Sequence, residues 1–185
     1  MTTRKPHSLR PYLSAQRVAE LNRELGRRIH ADYAPLVAAG EELLLVVTLK
    51  GAIFFAADLI REIGLPLRLD FVRLSSYGSG TTSSGTVRIL KDIEHSPQGR
   101  HVLILDEIAD TGRTLKFLMD RLSVTSPKSI RLVSLLNKPS RREVPIPLDY
   151  VGTEVEDKFL LGYGLDYGEI YRNLKEIYYL QEEVG

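Results

Sequence analysis

Cysteine is absent from the 185 residues, which excludes disulfides and thiolate metal sites and fits a protein kept in the cytoplasm. Excess charge is missing too. The 25 Lys and Arg are matched by 24 Asp and Glu, so no global field recruits nucleic acid or a membrane surface. No apolar run approaches the roughly 18 residues of a membrane span, and the longest, near Leu43 to Val47, is strand-sized. A secretory leader is not expected either, because the basic start from Met1 to Pro6 is followed by no apolar stretch. The four histidines, His7, His30, His95 and His101, are scattered without ligand spacing. No internal repeat and no interdomain linker is visible, so residues 1–185 read as one domain. At 43% hydrophobic residues the chain is long enough to bury a single sizeable core.

What is present is an alternation of short apolar runs with helical patterns. Ser14 can cap a helix whose Val18, Leu21, Leu25 and Ile29 share one face. Leu43 to Val47 is a buried strand, and Ala52 to Ile63 a helix stopped by Gly64 and Pro66. Leu67, Leu69 and Phe71 alternate with Arg68 and Asp70, which predicts a strand facing the core on one side. Val87 to Lys91, Val102 to Glu107 and Ile130 to Leu136 follow as strands, with a helix near Arg113 to Ser123 between the last two. The pattern predicts an α/β protein with a mostly parallel twisted sheet flanked by helices. Ligands of such sheets bind beyond the carboxyl ends of the strands, where Lys50, Asp106 and Lys138 fall. The Gly, Ser and Thr of residues 75–86 lie between two strands of one core, so they read as a lid over a site rather than a linker.

The most informative stretch runs from Val102 to Leu115. Apolar residues lead into Asp106-Glu107, and a third carboxylate, Asp110, opens Asp110-Thr111-Gly112-Arg113-Thr114 before the helix. Backbone N–H groups and hydroxyls converging at a helix N-terminus make a phosphate cradle. Acids beside such a cradle would repel the phosphate. They suit hydroxyl groups, a Mg²⁺ ion or a proton instead.

This segment resembles the phosphoribosyl-diphosphate motif of the type I phosphoribosyltransferases. Further segments narrow the resemblance to the 6-oxopurine, or hypoxanthine-guanine, phosphoribosyltransferases. These are Leu49-Lys50-Gly51, Ser76-Tyr77, Leu136 to Arg142, Lys158 to Tyr167, and Tyr171-Arg172. The resemblance implies the type I fold, with a mobile lid near 75–86 that includes Ser76 and Tyr77. It also implies a purine-binding hood near 138–172 with an N-terminal contribution, and a cis peptide before Lys50. It further implies that Asp110 accepts the purine proton while Thr111, Gly112, Arg113 and Thr114 hold the 5′-phosphate. Asp106 and Glu107 would serve the ribose hydroxyls and Mg²⁺, and Lys50, Gly51 and Arg172 the pyrophosphate. Lys138, Phe159, Leu160 and Asp166 would contact the purine, with Asp166 also near a second Mg²⁺.

The implied reaction is purine salvage by a pentosyltransferase. The 5-phosphoribosyl group passes from phosphoribosyl diphosphate to N9 of hypoxanthine or guanine, giving IMP or GMP and pyrophosphate. A homodimer or homotetramer is implied as well. The chain departs from the family in writing its acidic pair Asp106-Glu107 instead of Glu-Asp or Asp-Asp, which leaves open how ribose and metal divide between the two. Glu156 stands where a proline is common. The choice among hypoxanthine, guanine and xanthine also stays open. An RNA-binding attenuation regulator on the same fold is the main rival, but such proteins lack the residues that stand here as Asp110 and Phe159 to Tyr167. Taken singly, Lys138 is also readable as a solvated lysine, Phe159 as a core side chain, and Arg141-Arg142 as a solvated charged face.

Overall fold

The computed structural model describes residues 7–76 and 87–182. The elements, in chain order, are β1 (His7–Leu13), α1 (Ala15–Ala38), β2 (Leu43–Leu49), α2 (Ala52–Ile63), β3 (Arg68–Ser76), β4 (Val87–Lys91) and β5 (His101–Ala109). Then come α3 (Arg113–Ser123), β6 (Ser129–Asn137), a 3-10 turn at Pro139–Arg141, β7 (Leu148–Glu154), β8 (Leu160–Leu161) and β9 (Ile177–Glu182). Of the stretch assigned to the lid, Ser75 and Ser76 end β3, paired with β4, and residues 77–86, Tyr77 included, lie outside the described residues.

Six strands form the main sheet in the order β4-β3-β2-β5-β6-β7. All neighbours are parallel except the β3–β4 pair at one edge. Buried residues along β2 and β5 face both ways, because helices cover both sides. One apolar cluster joins Leu45, Val47, Leu103 and Leu105 to α1 and α2; the other joins Leu44, Val46, Val102 and Ile104 to α3. Two-sided burial is why these strands read as continuous apolar runs. The Ser14 side chain accepts from the Arg17 N–H at 3.2 Å and starts α1, while Gly64 in the left-handed conformation ends α2.

A second sheet, β1-β9-β8, is antiparallel and draws its strands from both ends of the chain. Neither it nor β7 stood out in the sequence. β8 is only two residues long, and β1 carries Pro11, so no alternation marks them. β5 also runs further than expected, to Ala109. Asp106 and Glu107 therefore lie within the strand, still paired to β6 at Asp106, rather than at its very end.

The expected one-sided burial of β3 needs correction. Asp70 and Val72 point to the second face and are as buried as the core. Asp70 is there because its carboxylate is fully employed: it accepts the N–H groups of Phe71, Glu94 and His95, each at 2.7 Å, and His95 Nδ1 stands at 3.0 Å. It thereby ties the loop after β4 to the sheet. Burial works against its charge, but these donors win and hold its pKa below the ordinary value. A depressed folded pKa contributes stability above the unfolded value and loses it as pH falls through the folded one. Asp70→Asn should thus destabilise by about 1–3 kcal/mol at neutral pH, from acceptors that no longer match their donors. Denaturation curves of the variant and the wild type should converge as pH falls through the folded pKa of Asp70, and a constant gap at all pH values would refute this account.

Candidate active site

The carboxyl ends of β2, β5 and β6 bring the chemistry-bearing residues to one edge of the main sheet. β5 and β6 are in register up to Ala109 and Asn137, and the Lys138 N–H donates to the Ala109 carbonyl at 3.0 Å. Asp110 and Lys138 therefore leave adjacent strands side by side.

After Asp110 the chain turns through Gly112, whose φ of 85° is the left-handed region that favours glycine, and α3 begins at Arg113. A Cβ at Gly112 would also run into the Val144 carbonyl. Asp106, Asp110, Thr111, Gly112 and Thr114 line a small cavity of about 80 Å³ at the start of α3. Its N-terminal N–H groups and threonine hydroxyls suit an anion of phosphate size. Arg113 is turned to Glu143 at 2.5 Å. Asp110 Oδ1 is buried and has no hydrogen-bond partner among the described residues, with Arg141 Nε in ion-pair contact at 3.5 Å. A buried acceptor left open in this way is suited to take a proton from a ligand.

Asp106 and Glu107 share a hydrogen bond, and the Thr48 hydroxyl donates to Asp106 at 2.7 Å. Burial, and then the neighbouring Asp106 charge, push Glu107 well above the ordinary carboxylate range. Burial also raises Asp106, against the hydrogen bonds it accepts. Two half-desolvated acids that cannot both ionise at ease form a donor set for a hard cation. Among the described residues no three His, Asp or Glu gather at metal-holding distance, so Asp166 does not join this pair. The pair alone matches an ion bound through one or two carboxylates, with substrate oxygens and water completing its shell.

The Leu49–Lys50 peptide is cis. Beyond it, Gly51 lies so near Glu107 and Gly164 that a Cβ would strike both the Glu107 carboxylate and the Gly164 carbonyl. Gly164 has a φ of 98°, and its carbonyl accepts from Arg172 at 2.7 Å. Arg172 also pairs with Asp166 at 2.7 Å, and Lys50 with Glu169.

On the hood side, Lys138 is only 7% exposed and its ammonium donates to the Lys158 carbonyl at 2.9 Å, with Asp157 at 3.7 Å. It is not a solvated lysine. Phe159 is 53% exposed and meets Tyr167 edge-on at 5.6 Å, so it is not a core side chain either. Leu160 beside it is buried in β8.

Residues 10–168 match the family model described as the phosphoribosyl transferase domain. Over 166 residues, 89% of this chain and 82% of the relative, it is 46% identical to a hypoxanthine-guanine phosphoribosyltransferase of Mycobacterium avium. The chain belongs to that family. A Streptococcus thermophilus enzyme of the same name is 43% identical over 92% of each chain. A bifunctional protein TilS/HprT of Listeria innocua is 47% identical over 172 residues, but this chain spans only 26% of its length. Among solved structures, a hypoxanthine phosphoribosyltransferase of Staphylococcus aureus superposes with a TM-score of 0.86 at 40% identity, covering 92% of this chain and 90% of that one.

Three residues at the site were given no role from the sequence. Arg142 is not a solvated charge: it donates to the Ala109 carbonyl at 3.2 Å and the Asn137 side chain at 2.6 Å, bracing the phosphate loop from behind. Only its neighbour Arg141 is half exposed. Tyr163, left-handed between two glycines, donates to Asp58 at 2.6 Å and accepts from Asn22 at 3.0 Å, so α1 and α2 hold the Gly164 turn. Glu169 meets both Lys50 and Arg172. Tyr163 alone was traceable in principle, because a large side chain between Gly162 and Gly164 marks an anchored turn.

The raised Glu107 has a stability consequence. An acid whose folded pKa lies above its unfolded value costs stability as pH rises from the ordinary carboxylate range through the folded value. Glu107→Gln keeps the shape and removes that cost. The ligand-free variant should melt later than wild type near neutral pH and equally at about pH 4, each kcal/mol being worth about 2–4 °C in a protein of this size. Thermal melts across pH without added metal provide the measurement. A variant that melts earlier at every pH would mean that Glu107 is held by contacts the glutamine loses.

Proposed function

We propose that this chain is a cytoplasmic purine-salvage enzyme, a hypoxanthine-guanine phosphoribosyltransferase. It transfers the 5-phosphoribosyl group from phosphoribosyl diphosphate to N9 of hypoxanthine or guanine and releases pyrophosphate. The observation that carries the reading is the side-by-side exit of Asp110 and Lys138 from β5 and β6. An open proton acceptor at the lip of a phosphate cavity stands there beside a buried ammonium. Family membership gives the reading its substrate class. No helix among the described residues is long and apolar enough to cross a membrane. The assembly proposed with it is a homodimer or homotetramer, and nucleic acid is not a partner.

In this reading the α3 N-terminus, Thr111, Gly112, Arg113 and Thr114 hold the 5′-phosphate. Asp106 and Glu107 orient the ribose hydroxyls and hold Mg²⁺, with Asp166 near a second ion. Bound there, Mg²⁺ would offset negative charge that builds on the leaving pyrophosphate. Lys50, the Gly51 backbone and Arg172 add donors to the same group. The purine lies between Phe159 and the Leu160 segment, with Lys138 donating to its 6-oxo group and Asp166 at its far edge. Asp110 accepts the proton that the ring sheds as N9 bonds to the sugar carbon. That carbon passes through an oxocarbenium-like state, so excluding water from the site protects the reaction.

Asp110→Asn should retain phosphoribosyl diphosphate binding while kcat falls by about 10²–10⁴-fold, because the amide fills the same space but takes no proton. Isothermal titration beside steady-state kinetics separates the two effects. A kcat above about a third of wild type, with chemistry shown to be rate-limiting, would remove Asp110 from the role of base.

A nucleobase panel with phosphoribosyl diphosphate and Mg²⁺ tests the function directly. Hypoxanthine and guanine should turn over. Adenine should react about 10⁴-fold less well, since its 6-amino group meets a buried donor. Lys138→Ala should weaken both oxopurines and narrow the gap to adenine. Efficient use of adenine or uracil by the wild type would overturn the assignment.

A further inference from the structure

The two cations assigned to pyrophosphate are already engaged within the chain. Lys50 pairs with Glu169. Arg172 reaches the same carboxylate at 3.3 Å and Asp166 at 2.7 Å, while its third donor, Nε, is buried without a partner among the described residues. Glu169 is brought to them by an unusual backbone. Its φ is 70°, a left-handed conformation that non-glycine residues seldom adopt, and its N–H donates to Asp166 Oδ2 at 2.8 Å. Tyr171, two residues on, is left-handed as well, with a φ of 75°. The turn from Asp166 to Arg172 thus folds back so that one exposed carboxylate spans both cations.

We propose that Glu169 is a built-in competitor for the pyrophosphate subsite, occupying Lys50 and Arg172 until a diphosphate displaces it. The inference rests on the reading of Lys50 and Arg172 as the pyrophosphate grip. Its physical content is an exchange. Incoming diphosphate does not meet two bare cations; it replaces a carboxylate that neutralises them. On the way out, the same carboxylate is tethered a few ångströms away and re-forms the pairs as pyrophosphate leaves. Glu169 therefore weakens diphosphate binding and hastens product release, while keeping the empty site's cations near their working positions.

The Lys50–Glu169 pair is solvent-exposed, with side chains 46% and 63% accessible, so its effect is of surface ion-pair size. Titrating the full-length protein with magnesium pyrophosphate should give a Kd about two- to five-fold lower in Glu169→Gln than in wild type, the fold-change that one exposed pair supports. The KM for phosphoribosyl diphosphate should fall with it, while the KM for the purine stays unchanged. A merely structural role would instead raise both. Glu169→Ala supplies a second variant that lacks the carboxylate without the amide's hydrogen bonds, and it should shift the pyrophosphate Kd in the same direction. Unchanged or weaker pyrophosphate binding in both variants overturns the competitor role while leaving the subsite standing. A wild type that binds no pyrophosphate overturns the subsite and the competitor together.

Discussion

The close approach of Gly51 to Gly164 is the constraint on which the rest of the site depends. One glycine follows the cis peptide at the end of the main sheet, and the other belongs to the turn that leads back to the small sheet. With no Cβ on either, two stretches of backbone meet and leave room only for the Glu107 carboxylate. Everything that must act together is referenced to that contact: the acid pair of β5, the Lys50 peptide, and Arg172 through the Gly164 carbonyl. The Tyr163 phenol, held by Asn22 of α1 and Asp58 of α2, fixes the turn from the other side. A polar anchor between helices is thereby converted into ångström-scale placement of an arginine, which is what preorganised charge stabilisation requires.

The acid pair illustrates how the fold prepares for ligands at its own expense. β5 carries Asp106 and Glu107 inside a strand with four buried apolar residues before them, so both carboxyls are drawn partly out of water. Burial and mutual repulsion make the empty site electrostatically uncomfortable, and the discomfort is relieved only by a proton or a cation. The cradle at α3 works the other way, with partial positive charge from N–H groups awaiting an anion. One strand end thus presents both polarities a few residues apart, matching a ligand that carries hydroxyls and a phosphate together.

Much of this was legible in the sequence, for reasons that differ by element. β2, α2 and α3 were visible because two-sided burial or a 3.6-residue period leaves a strong pattern, and Gly64 marks its helix end unambiguously; β4 is an edge strand whose positions alternate between half-buried and exposed. The motif from Asp106 to Thr114 was readable because cradle chemistry is local in sequence. The small sheet was not, since β8 has two residues and its partner β9 lies at the far end of the chain, joined by pairing that no local period encodes. Asp70 was misread for a related reason. A carboxylate at an alternating position looks solvent-facing until the N–H groups of Glu94 and His95, from a distant loop, are known to reach it. Arg142 and Lys138 likewise gained meaning from burial, which a charged residue's identity does not reveal.

The burial of Lys138 carries a consequence for how a base is chosen. Its ammonium faces one peptide carbonyl and one carboxylate and is almost closed off from solvent. In the proposed role of Lys138, a ligand is judged less by the bond it forms than by whether it abandons a buried donor. Selectivity of this kind belongs to the enclosure and not to any single contact. Opening that enclosure to solvent would blur the proposed distinction between oxo and amino bases while every contacting residue stayed in place.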